Sequence, residues 1–82
     1  MMDYTDSRFV ATLELFAEHE RRSIKTVSRL ATGSGDTVDR LRRGGTITTR
    51  RMDRALRYLS EHWPEDLAWP AHTPRPNKWG QL

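Results

Sequence analysis

Residues 23–46, SIKTVSRLATGSGDTVDRLRRGGT, decide the fold, because they divide into two short helical patterns around a Gly-containing break. Ser23 can cap the free N–H groups of a first helix, in which Ile24, Val27, Ser28 and Ala31 follow at helical spacing as a narrow apolar or small face. Thr32-Gly33-Ser34 interrupts that spacing. Ser34 is the expected N-cap of a second helix, with Val38 and Leu41 inward, Asp36, Asp39, Arg40 and Arg43 outward, and Gly44-Gly45 as a left-handed stop. Two short helices joined in this way predict a helix-turn-helix whose outer face is polar enough to read a groove.

The flanks supply the rest of a small core. Upstream, Asp6 is the expected cap of a helix running to about Arg21, with Phe9, Val10, Leu13, Phe16 and Ala17 on one stripe. Downstream, Thr48 is the expected cap of a further helix, Ile47 can staple onto Met52, and Met52, Ala55, Leu56, Leu59 and Trp63 form the buried face. Arg50, Arg51, Arg54 and Arg57 lie mostly off that face. Pro64 ends the helix, and from there to Leu82 four prolines remove helical periodicity while Trp69 and Trp79 stand apart. The fold class predicted is all-α: a four- to five-helix bundle over residues 1–63 and an extended Pro/Trp-rich arm over residues 64–82. Large aromatics are costly to leave in water, so Leu67 and Trp69 are expected to dock on the helical body or on a second subunit.

Charge is segregated along the chain. Residues 1–20 hold five acids and one base, residues 21–57 eleven bases and three acids, and residues 58–82 two bases and three acids, so the net charge of +3 conceals a middle segment of +8. A basic block confined to the turn motif and the helix after it is the electrostatic footprint expected for a phosphate backbone, the alternative being a solvated Arg-rich face. The chain has no cysteine, which excludes a disulfide framework and a thiolate zinc site. No apolar run approaches spanning length, and the acidic start MMDYTDSRF does not resemble a signal peptide; the location read from this is cytoplasmic, at the nucleoid, with no membrane partner.

The 23–46 segment resembles the helix-turn-helix of the Cro and phage-repressor class of transcriptional regulators. Val27-Ser28 stands where that class has Leu-Ala, and Ala31-Thr32-Gly33-Ser34 where it has Leu-Gly-Val-Ser. Thr37-Val38, Arg40-Leu41 and Gly44 fall in step with the remainder. The chain departs from the pattern in placing its turn glycine one position late, at Gly33, which also removes the apolar residue that usually plugs the turn. The resemblance implies a sequence-specific, double-stranded DNA-binding regulator of bacterial or phage type, acting on an operator as a repressor or by recruiting polymerase, as a homodimer.

In such a regulator the helix at about 35–43 lies in the major groove with its N-terminal residues nearest the bases. Ser34, Gly35, Asp36, Asp39, Arg40 and Arg43 are then the base-reading candidates: Arg40 and Arg43 for guanine, Asp39 for a cytosine amine or for orienting Arg40 or Arg43. Asp36 has an equal reading as compensation of the helix N-terminal charge. Lys25, Thr37, Arg42, Arg50, Arg51 and Arg54 are the phosphate-contact candidates. The alternative function is a protein-interaction adaptor or antitoxin-like module using the bundle and the Trp-containing arm, through which RNA polymerase or another regulator would be met.

Enzymatic chemistry finds no footing in the sequence. His19, His62 and His72 lack the spacing of a helical metal pair, adjacent Glu65 and Asp66 point apart, and Gly33-Ser34-Gly35 lacks the continuation of a P-loop. No cofactor and no metal are expected.

Overall fold

The computed structural model describes residues 3–71 and 73–76. Among them the chain forms four α-helices and no strand: α1 (Tyr4–Glu20), α2 (Ile24–Thr32), α3 (Thr37–Arg42) and α4 (Thr49–His62). None is long and apolar enough to cross a membrane. Expectations that fall on His72, or on residues 77–82 with Trp79, lie outside the described residues.

α1, α2 and α4 each begin where a short polar side chain accepts from a free N–H. Ser23 Oγ takes the Thr26 amide at 3.1 Å and Thr48 Oγ1 the Arg51 amide at 3.1 Å, as their positions before the periodic segments predict. The cap of α1 is Asp3 and not Asp6: Asp3 is extended (φ −76°, ψ 179°) and its Oδ1 accepts from the Asp6 amide at 2.8 Å. Asp6 therefore stands in the first turn, where a carboxylate faces the positive end of the helix dipole.

The apolar stripes meet in one core. Phe9, Val10, Leu13, Phe16 and Ala17 of α1, Val27 and Ala31 of α2, Val38 and Leu41 of α3, and Ala55, Leu56 and Leu59 of α4 are all buried. Ile47 and Met52 pack against this cluster, placing both members of the anticipated staple at the entry to α4. α2 lies at the centre, in contact with each of the other three helices.

Past Pro64 the chain turns back over α1 and α4. Trp63 stacks on Phe16 with centroids 5.7 Å apart and donates its indole N–H to the Leu67 carbonyl at 2.6 Å. Trp69 meets Trp63 edge-on at 4.7 Å and donates to the Thr73 carbonyl at 2.7 Å. Thr12, wholly buried on α1, donates to the Arg8 carbonyl at 2.8 Å and meets the buried Thr73 hydroxyl at 3.0 Å across 61 residues of chain. Arg75 lies 4.9 Å from the Trp69 ring centroid and donates to the hydroxyl and carbonyl of Ser60, while the Ser60 hydroxyl donates to the Pro76 carbonyl. These bonds give an aperiodic segment the polar partners that a helix would otherwise supply.

Candidate nucleic-acid interface

The connection between α2 and α3 turns on one residue whose backbone favours glycine. Gly33 closes α2 at φ 90°, in the left-handed region, and its N–H bonds to the Arg29 carbonyl. The following helix starts at Thr37, after Asp36 in the cap position without a side-chain cap bond. Ser34 is thus not the cap of this helix: its carbonyl accepts from Ser28 Oγ at 2.7 Å and lies within reach of the Thr32 and Thr37 hydroxyls, which hold residues 33–36 in a turn. At the other end Gly44 (φ 92°) and Gly45 satisfy the Leu41 and Arg40 carbonyls, a Schellman closure that halts α3 after six residues.

Two distant cations converge on this turn. Lys25 Cγ lies 3.2 Å from the point where a Cβ on Gly35 would stand, and Arg54 Nη1 lies 3.0 Å from the equivalent point on Gly33. Lys25 on α2 and Arg54 on α4 therefore bracket the two turn glycines. Beyond them, Asp36, Asp39, Arg40 and Arg43 line a polar cleft of about 250 Å³ on the outer side of α3. On α4, Thr49, Arg50, Asp53, Arg54, Arg57, Tyr58 and Glu61 border a broad open groove of about 720 Å³. Among the described residues, no carboxylate comes within 4.0 Å of a charged nitrogen of Lys25, Arg40, Arg43, Arg50, Arg51, Arg54 or Arg57.

Five candidate contacts are placed otherwise. Thr37 has none of its surface exposed, and its hydroxyl is engaged with Thr32 Oγ1 at 2.9 Å, so its side chain serves the turn instead of reaching a phosphate. Arg42 is ion-paired with Glu14 of α1, which engages it before any external anion arrives. The cation nearest the Asp39 carboxylate is the same Arg42, at 4.0 Å, so Asp39 orients neither Arg40 nor Arg43 here. Ser34, expected as the cap of the outer helix, and Gly35, expected in its first turn, belong to the turn before it and are half-buried.

Arg57 joins Arg50 and Arg54 along the α4 groove and completes a row at i, i+4 and i+7. Its position off the buried face is legible in the sequence, but its alignment with the turn depends on how α4 packs across α2. Arginines with Asp53 and Glu61 thus border the α4 groove, and two acids and two arginines line the α3 cleft. Comparison with protein-family models, with curated proteins and with solved structures gives no match.

Proposed function

We propose that the chain is a small double-stranded DNA-binding regulator, in which α2, the turn and α3 act as a helix-turn-helix and α3 enters the major groove. The observation that carries this reading is the set of cations without carboxylate partners around the turn, with Lys25 and Arg54 bracketing Gly33 and Gly35. Glu14 is drawn to Arg42, while the arginines of α4, though interspersed with Asp53 and Glu61, are left without an ion pair and available to an external polyanion. Arg40 and Arg43, with Asp36 and Asp39 beside them, are the base-reading side chains. Lys25, Arg50, Arg51, Arg54 and Arg57 contact phosphates and set register without reading sequence.

A reading face this small gives little specificity alone, so the proposal includes a homodimer on two half-sites about one helical turn apart. The adaptor reading draws less support from the described part of the arm, because the Trp69 ring packs on Trp63 and its indole N–H is spent on the Thr73 carbonyl within the chain. Selection of bound duplexes from a random pool tests the proposal. Enrichment of a palindrome with half-sites about ten base pairs apart is expected. No enrichment over the starting pool would overturn DNA reading, and a single asymmetric half-site bound by one protein would overturn the dimer.

A further inference from the structure

Ser28, Thr32 and Thr37 form a network of three buried hydroxyls closed on the backbone of Ser34. Ser28 Oγ donates to the Ser34 carbonyl at 2.7 Å, and Thr32 Oγ1 donates to the Ser28 carbonyl at 2.7 Å. Thr32 Oγ1 also meets the Thr37 hydroxyl at 2.9 Å, lies 3.0 Å from the Ser34 carbonyl and accepts from the Ser34 amide at 3.2 Å. Ser28, Thr32 and Thr37 are between 0% and 1% exposed, so water does not reach their hydroxyls. Among the described residues no buried side-chain nitrogen or oxygen lacks a partner.

Thr32 is the hub of this network because its oxygen alone bonds to α2, to the turn and to α3. The Ser28 carbonyl is on α2, the Ser34 amide is in the turn and the Thr37 hydroxyl opens α3. α3 has six residues and no side-chain cap bond of its own, which is too short to hold a direction without external ties. Val38 and Leu41 anchor its inner side in the core. Apolar contacts of that kind are non-directional, whereas three hydrogen bonds converging on one oxygen fix an angle.

We infer that Thr32 is a positioning residue for the reading helix: its hydroxyl sets the angle at which α3 leaves the turn, and thereby which base edges Arg40 and Arg43 reach. This rests on the duplex-binding reading above. Removing the hydroxyl while keeping the shape, as in Thr32→Val, strands the Ser34 amide and leaves the Thr37 hydroxyl only the longer route to the Ser34 carbonyl, at 3.3 Å. Discrimination between base pairs suffers, while attraction to phosphates is untouched.

The test uses the full chain with Thr32→Val, Thr32→Ser, and Ser28→Ala as a milder variant that removes one peripheral bond should Thr32→Val fail to fold. Amide exchange at Arg40 and Arg43 in the free protein reports the holding of α3. The affinity ratio between the selected duplex and the same duplex changed at one base pair reports reading. Thr32→Val is expected to lower both the exchange protection and the ratio by about tenfold, with Ser28→Ala lowering both by less and Thr32→Ser restoring both, at an unchanged salt slope. Unchanged α3 protection in Thr32→Val, or in Ser28→Ala if the valine variant is unfolded, overturns the positioning role whether or not DNA is bound. Protection lost in Thr32→Val and restored in Thr32→Ser, in a protein that binds no duplex, would uphold the hold on α3 and refute the DNA reading instead. An equal fall in affinity for all duplexes would overturn the link to base reading.

Discussion

Replacing Trp69 with alanine should remove a large part of the chain's stability, because that one side chain joins the returning segment to the end of α4 and holds the segment's own fold together. Its ring meets Trp63 at 4.7 Å, its N–H holds the Thr73 carbonyl at 2.7 Å, and Arg75 lies 4.9 Å from its centroid. Truncating a fully enclosed Trp costs about 3–5 kcal/mol, and Trp69 is only partly buried, so the packing loss is roughly 2–3 kcal/mol. The Thr73 carbonyl loses its partner for about 1 kcal/mol more. A domain of this size is stable by roughly 4–12 kcal/mol, so a loss of about 3–4 kcal/mol is a major fraction. At about 4–8 °C per kcal/mol, Tm should fall by at least ~12 °C. Trp69→Phe keeps most of the ring contact but not the N–H, and should fall by about 4–8 °C. Thermal and urea unfolding followed by circular dichroism measures both. A Trp69→Ala protein within about 0.5 kcal/mol of the parent would refute the account of the segment as part of the core.

The other predictions concern the turn, the ends of the helices and the reading face. Gly45→Ala should destabilise by about 1–3 kcal/mol in urea melts, since its new Cβ would stand 2.7 Å from Arg40 Cγ and 2.8 Å from the Arg40 carbonyl; a neutral result would mean that the α3 closure yields easily. His19 faces Glu20 at 3.1 Å and Asp66 at 3.2 Å, and these two hydrogen bonds hold its imidazolium above the ordinary value of 6.5. With the folded value raised, its contribution is full below pH 6.5 and fades as pH rises through the folded value, so the Tm difference between parent and His19→Gln should shrink from pH 5.5 to 8.5; a difference constant with pH would refute the pairing. Arg40→Ala should lose about 1–3 kcal/mol on the selected duplex and tolerate change at one base pair, whereas Arg50→Ala should weaken all duplexes alike. Equal losses on selected and random duplexes would make Arg40 a phosphate contact.

Where a structural signal was local, it could be read from the sequence. Ser23 and Thr48 cap because each is a small hydroxyl residue directly before a periodic segment, and Phe9, Val10, Leu13, Phe16 and Ala17 are buried because their spacing leaves one face for them. Asp3 was hidden by distance: the first turn of α1 carries no buried residue, so the apolar period starts only at Phe9. The start of α3 depends on hydroxyls at Ser28, Thr32 and Thr37 competing for one carbonyl, and a cap rule applied to Ser34 alone does not register that competition. Burial of Thr37 was within reach, since it shares the i, i+4 face of Leu41. The pairing of Arg42 with Glu14 spans 28 residues and required the packing of α1 near α3.

The central claim is that the cations around the turn and along α4 bind a phosphate backbone. The measurement that tests it most directly is the affinity of the full chain for duplex DNA as a function of salt. Lys25, Arg50, Arg51, Arg54 and Arg57 acting together predict that log affinity falls linearly with log salt concentration, with a slope of about −4.5 per protomer. Arg54→Ala, which removes the cation seated over Gly33, should bring that slope about one unit closer to zero. A slope shallower than about −1, or no binding to any duplex at low salt, would contradict the account.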